Sequence, residues 1–235
     1  MKMRGWRARI GLIVPSSNTT MEAEFWTHAP EGVSIHTSRL PLRKVMEKEL
    51  VDMANEVEKC AELLFDTKVD IIIYGCTTGS LIKGKGYDEE IERRINKVTG
   101  IPVVATARAV LDVLNEKGVK KIAVATPYIE EINQKEKDFL TENGFEVCGI
   151  KGLGIEENIE IGKQPPEVAY NLGKEIIRSH PEAEALFISC TNFRTFEIIT
   201  ALCQDIRKPV VSSNQASLWI ALRECGLSWE FVERI

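Results

Sequence analysis

Apolar residues along this chain fall into short dense runs separated by longer amphipathic stretches. The runs at 9–14, 33–40, 70–75 and 102–105 read as β-strands, and the pattern resumes at 121–126, 145–150, 185–189 and 209–212. Between them, segments such as 52–65 and 87–98 carry apolar residues at helical spacing. Strand and helix patterns in alternation predict βαβ units and parallel sheets. The strand runs are nearly continuous rather than alternating, as expected where helices cover both faces of a sheet.

The pattern repeats. Arg-Ile-Gly-Leu-Ile-Val-Pro at 9–15 matches Lys-Ile-Ala-Val-Ala-Thr-Pro at 121–127, and Gly-Val-Ser-Ile at 32–35 matches Gly-Phe-Glu-Val at 144–147. Asp-Ile-Ile-Ile-Tyr-Gly-Cys-Thr-Thr at 70–78 matches Glu-Ala-Leu-Phe-Ile-Ser-Cys-Thr-Asn at 184–192, and Ile-Pro-Val-Val-Ala-Thr at 101–106 matches Lys-Pro-Val-Val-Ser-Ser at 208–213. Four segments in one order, at an offset of about 110 residues, predict a duplicated architecture. The expected fold is α/β: two lobes related by a pseudo-two-fold axis, each a four-stranded, mostly parallel sheet flanked by helices. The first lobe is expected over 1–115 and the second over 116–209, with 210–235 free to return to the first. The site belongs in the cleft between them.

Composition narrows the function. With 44% apolar and 28% charged residues the chain is that of an ordinary globular protein, and a net charge of −5 excludes the basic footprint of a general nucleic-acid binder. No apolar run approaches the ~20 residues that span a bilayer, and none of signal length follows the basic N-terminus. A cytoplasmic protein is expected, a homo-oligomer (a dimer or larger), with neither nucleic acid nor membrane as partner.

The repeat also locates chemistry. Each half has one strand that runs into Cys-Thr, at Cys76-Thr77-Thr78 and at Cys190-Thr191-Asn192. Open α/β sheets place ligands at the carboxyl ends of their strands. A helix is expected after each cysteine, whose thiol would then feel the positive end of a helix dipole, a setting that favours thiolate. Cys76 is expected to be partly exposed and the most nucleophilic of the six cysteines. Cys60, Cys148, Cys203 and Cys225 have no repeat partner and read as filler. No cysteine or histidine cluster has metal-ligand spacing, so no metal is expected.

Other motifs carry less. Pro15-Ser16-Ser17-Asn18-Thr19-Thr20 is a dense polar cluster at a strand-to-helix turn, suited either to capping or to holding a carboxylate. Its counterpart is Thr126-Pro127-Tyr128, whose phenol can donate to a substrate oxygen. The segment 79–86 resembles a phosphate-binding loop, but Gly86 stands where the magnesium-binding Ser or Thr is needed. The Gly152-x-Gly154 pair lacks the third glycine of a dinucleotide fingerprint, and no G-x-S-x-G occurs.

On these residues the chain resembles the Asp/Glu/hydantoin racemase superfamily, and more closely its maleate cis-trans isomerase branch. The resemblance rests on Pro15 to Thr19, Cys76-Thr77-Thr78-Gly79-Ser80, Thr126-Pro127-Tyr128, Glu157-Asn158-Ile159-Glu160 and Cys190-Thr191-Asn192-Phe193-Arg194-Thr195, and covers nearly the whole chain. It implies a cofactor-free enzyme acting on a small dicarboxylate. Cys76 would be the nucleophile and Cys190 the acid/base partner, with Asn18, Tyr128 and Asn158 holding the carboxylates. Arylmalonate decarboxylases of the superfamily lack the first cysteine, so Cys76 argues against that activity.

Thiolate addition to one alkene carbon leaves a rotatable single bond and an anion that needs donors around it. Asn18, Thr77, Thr78, Tyr128, Asn158, Thr191 and Asn192 supply amides and hydroxyls of that kind. Two opposed thiols serve a racemase of amino acids or hydantoins equally well, as acid and base on either face of a Cα. A two-lobe small-acid binding protein is the non-enzymatic alternative.

Overall fold

The computed structural model describes residues 5–228. Eight strands are present: β1 Ala8–Pro15, β2 Val33–Leu40, β3 Ile71–Tyr74, β4 Val103–Ala105, β5 Lys121–Thr126, β6 Glu146–Gly152, β7 Ala185–Ile188 and β8 Val210–Ser212. They form two four-stranded sheets, ordered β2-β1-β3-β4 and β6-β5-β7-β8. Every ladder is parallel. The two sheets share one strand order, so the fold carries the same duplication as the sequence. The inner strands β3 and β7 are buried along their whole length, which is why they read as unbroken apolar runs.

Helices connect the strands. In the first half these are α1 Met21–His28, α2 Glu47–Met53, α3 Val57–Phe65, α4 Thr77–Leu81, α5 Tyr87–Thr99 and α6 Thr106–Glu116. In the second half they are α7 Glu130–Glu142, α8 Asn158–Gly162, α9 Pro166–Ser179, α10 Ile199–Ile206 and α11 Ser213–Glu224. The helical spacing read over 52–65 belongs to two helices. A 3-10 turn at Ala54–Glu56 separates α2 from α3 and redirects the chain.

Side chains that alternate along the strands sort into two buried layers. One holds Ile10, Leu12, Ile71 and Ile73 with Ile122, Val124 and Phe187; the other holds Ile13, Ile72 and Tyr74 with Ala123, Leu186 and Ile188. Each layer draws on both sheets, so the halves share one continuous core. Helices α6 and α11, which follow equivalent strands, pack on one another, and Ser217 Oγ donates to Thr106 Oγ1 across the join at 3.1 Å. β8 belongs to the second sheet, whereas α11 also touches α1, β3 and β4 of the first half. Among the described residues no helix is long and apolar enough to cross a membrane.

Candidate active site

Cys76 and Cys190 follow β3 and β7, the central strands of the two sheets. Their flanking residues are joined directly. Ser213 Oγ, in the first turn of α11, accepts from Thr77 Oγ1 at 2.8 Å and from the Cys190 N–H at 3.1 Å. Thr191 Oγ1 donates to the Gly75 carbonyl at 3.1 Å. The strand ends of the two lobes are thereby tied into one site, and a charge on Cys76 pushes the Cys190 pKa upward.

The surroundings of the two thiols differ. Cys76 is the N-cap of the short helix α4, and its Sγ accepts from Gly79 N at 3.3 Å. Thr78 Oγ1 stands 3.8 Å from the same sulfur. Gly79 is required there: a Cβ on it would lie 2.9 Å from Cys76 Sγ and 2.8 Å from Met53 Cε. Cys190 has no helix behind it. The chain turns through 191–193, α10 starts only at Ile199, and Cys190 itself has φ +99°, a strained conformation for a residue with a side chain. This corrects the expectation of a helix after each cysteine. The Cys190 sulfur accepts instead from Asn192 N at 3.3 Å, and the Tyr128 phenol stands near enough to ease its ionisation.

Two further expectations for the thiols are overturned. Each is only 5% exposed, so Cys76 is not partly open to solvent. Burial pushes Cys76 up to about 11 and Cys190 to about 12, although the bonds from Gly79, Thr78, Tyr128 and Asn192 work in the opposite direction. Loss of hydration outweighs the helix terminus because a thiolate in a dry site has lost far more than one N–H returns.

The polar residues singled out in the sequence are buried and largely bind one another. Asn18 Oδ1 caps α1 through Thr20 N and Met21 N, both at 3.0 Å, and its Nδ2 donates to Thr191 Oγ1 at 3.0 Å. Asn192 Oδ1 accepts from Thr19 N at 2.8 Å, while its Nδ2 donates to the Asn158 carbonyl at 2.6 Å. Asn158 Nδ2 donates to Ser17 Oγ at 2.8 Å. Thr77 and Thr191 are thus spent on inter-lobe ties. The Asn18 and Asn158 amides each use one hydrogen of two in these bonds, leaving one for an anion.

Two contributors carry no chemical motif in the sequence. Ser213 ends the last repeated segment, opposite Thr106. Glu24 gave no signal at all. It is a buried carboxyl on α1 that accepts from Thr195 N at 2.9 Å, Phe196 N at 3.2 Å and Asn214 Nδ2 at 2.5 Å. It thereby fixes the loop after Cys190, and burial raises its pKa to about 7. The four remaining cysteines stand apart from this network; Cys60 donates to the Arg39 carbonyl and Cys203 to that of Lys208. Among the described residues no group of three or more His, Cys, Asp or Glu is arranged to hold a metal ion.

A strap joins the two halves beside Asn158. Residues 43–45 run against 156–158: Val45 N donates to the Glu156 carbonyl at 2.8 Å and Asn158 N to that of Arg43 at 2.9 Å. Lys44 pairs with Glu157 at 3.2 Å. Beside the strap lies a groove of about 690 Å3 in which Arg39 and Arg43 stand among the carboxylates of Glu49, Asp52 and Glu56.

A family model described as arylmalonate decarboxylase matches residues 10–232. The chain is 31% identical over 232 residues to a maleate isomerase of Geobacillus stearothermophilus, covering 93% of this chain and 92% of that protein. The maleate isomerase of Pseudomonas putida S16, solved with maleate, superposes with a TM-score of 0.88 at 30% identity, over 94% of this chain and 92% of that one. A Nocardia farcinica maleate cis-trans isomerase, in a cysteine-to-serine mutant with a covalently bound succinylcysteine intermediate, gives a TM-score of 0.86 at 25% identity over 94% and 93%.

Proposed function

The chain belongs to the arylmalonate decarboxylase family, and from that premise we propose that it is a maleate cis-trans isomerase working through two cysteines. The observation that carries the reading is the pair of thiols at equivalent strand ends in unequal surroundings, one capping a helix and the other held at positive φ beside a phenol. A racemase meets mirror-image substrates and is better served by like surroundings.

Maleate reaches the two thiols when the strap over Arg43 to Val45 opens. The Cys76 thiolate adds to one alkene carbon. The C–S bond forms as the π pair moves to the neighbouring carbon and its carboxylate. Asn18, Asn158 and Tyr128 donate to the anion, which lowers its energy without neutralising the thiolate. The former double bond is now single and rotates. The Cys190 thiol shares its proton with the carbanionic carbon and takes it back. The electron pair then re-forms the double bond in the trans sense and expels Cys76, so fumarate leaves with the enzyme unchanged and no cofactor is consumed.

Mass spectrometry of acid-quenched Cys190→Ser during turnover with maleate tests this. A succinyl adduct of about 116 Da on the Cys76 peptide is the expected result. Adduct-free protein that incorporates solvent deuterium at the Cα of aspartate or glutamate would place it among the racemases instead.

A further inference from the structure

Glu136, in the middle of α7, has no part in the scheme above, yet it is fully buried. It lines a small, mostly apolar pocket, too tight for a water molecule, with Thr77, Leu81, Val110, Phe139 and Phe187. Neither carboxyl oxygen has a hydrogen bond of standard geometry, and the Ser189 hydroxyl is likewise unpartnered, though near enough to Glu136 to ease its ionisation. A buried carboxyl left this way costs on the order of 1–3 kcal/mol, and an apolar side chain would fill the cavity without that cost. Its position suggests a use. Ser189 immediately precedes Cys190, the Tyr128 phenol stands beside Cys190, and a charge on Glu136 acts on both Tyr128 and Cys190. Cys76 receives no such influence.

We propose that Glu136 is a positioning residue that assigns the two cysteines their roles: its carboxylate, buried behind Ser189 and Tyr128, disfavours a thiolate at Cys190 and leaves Cys76 as the thiol that ionises. This rests on reading the pair as nucleophile and acid, and deepens it. The titratable groups facing Glu136 are Tyr128 and Cys190. The neighbouring parts of α4, α6 and β7 present Thr77 and apolar side chains, and no cation offsets its charge. Burial holds its pKa at about 7, so the bias on Cys190 strengthens as pH rises through neutrality.

Single-hit alkylation with iodoacetamide, read by peptide mass spectrometry, tests this on the whole protein without substrate. Both thiols lie in one closed site, so their labelling ratio cancels the rate of opening. In wild type the Cys190-to-Cys76 ratio is expected to fall between pH 6 and pH 8. Glu136→Gln should raise that ratio about threefold or more at pH 8 and leave it unchanged at pH 6, while Glu136→Asp keeps the wild-type pattern. A wild-type ratio that stays level across pH 7 overturns the proposal, whether or not the glutamine variant folds. A Glu136→Gln ratio raised equally at both pH values would make Glu136 a packing residue. Neither result depends on whether maleate is isomerised.

Discussion

At the scale of single residues, Asn18 does two jobs. Its Oδ1 caps α1 and its Nδ2 reaches across to Thr191. Asn18→Ala loses both, at about 1 kcal/mol of stability for the cap and roughly one to three orders of magnitude in kcat/KM for the donor. Asn18→Asp keeps the capping oxygen but replaces the amide donor with a charge that repels a dianion. The charge is buried and the donor to Thr191 is gone, so the melting temperature should fall and activity should drop at least as far as in the alanine variant; calorimetry beside steady-state kinetics checks the pair. Tyr128→Phe should cost a similar factor in rate, because the one hydrogen of the phenol beside Cys190 is the donor to substrate. Equal rates for Tyr128→Phe and wild type would reduce the phenol to packing.

At the scale of elements, α4 and its partner turn explain why two like sequences make unlike sites. Cys76-Thr77-Thr78-Gly79 goes straight into a helix because Gly79 lets the first turn close against Cys76 Sγ and Met53. The corresponding fourth residue after β7 is Phe193, fully buried, and the chain turns away instead. Gly79→Ala should displace Cys76 or the Met53 end of α2, since its Cβ would approach three heavy atoms to within 2.9 Å. A loss of at least a hundredfold in turnover is expected, with the far-ultraviolet circular dichroism intact, because α4 is only five residues long. The Ser213 hydroxyl serves both lobes at once through Thr77 and Cys190 N. Ser213→Ala leaves the strained Cys190 N–H without its acceptor, and a destabilisation of about 1–3 kcal/mol by denaturant unfolding follows from a buried donor left unpaired.

For the whole molecule, buried carboxyls make stability depend on pH. Glu24, Glu92 and Glu136 are each raised by burial from 4.5 to about 7. The folded protein therefore holds their protons more tightly than the unfolded chain does. Their contribution is complete below pH 4.5 and is lost as pH rises through 7. His36, whose pKa burial lowers, works in the opposite sense but below pH 6.5. Between pH 6.5 and 8 the glutamates dominate, and stability is expected to fall by roughly 2 kcal/mol, or about 5 °C in melting temperature, as pH rises. Differential scanning calorimetry at constant ionic strength reads this directly; a flat or rising melting temperature over that window would mean the three carboxyls are not held as buried acids.

The duplicated α/β plan, the strand positions and the two cysteine-bearing strand ends were legible along the chain, because parallel strands buried on both faces leave dense apolar runs and a repeat multiplies the signal. The polar residues that bind one another at those strand ends were legible for the same reason: strand ends of an α/β sheet are where side chains meet. What the sequence could not carry was the contribution of distant groups. Glu24 and Glu136 read as ordinary helix glutamates, and only packing buries them, one under the loop after Cys190 and the other behind Ser189. The thiols read as activated by helix ends, yet desolvation depends on what closes over them, and the strap from Arg43 to Val45 lies roughly 110 residues from its partner segment. The left-handed turn at Cys190 is likewise set by the Ser213 hydroxyl and by the buried Phe193, not by the residues Cys-Thr-Asn. Hydrophobic period and local chemistry are properties of neighbours in sequence; burial, dielectric and the pairing of charges are properties of neighbours in space, and in this protein the inequality of the two cysteines belongs to the second kind.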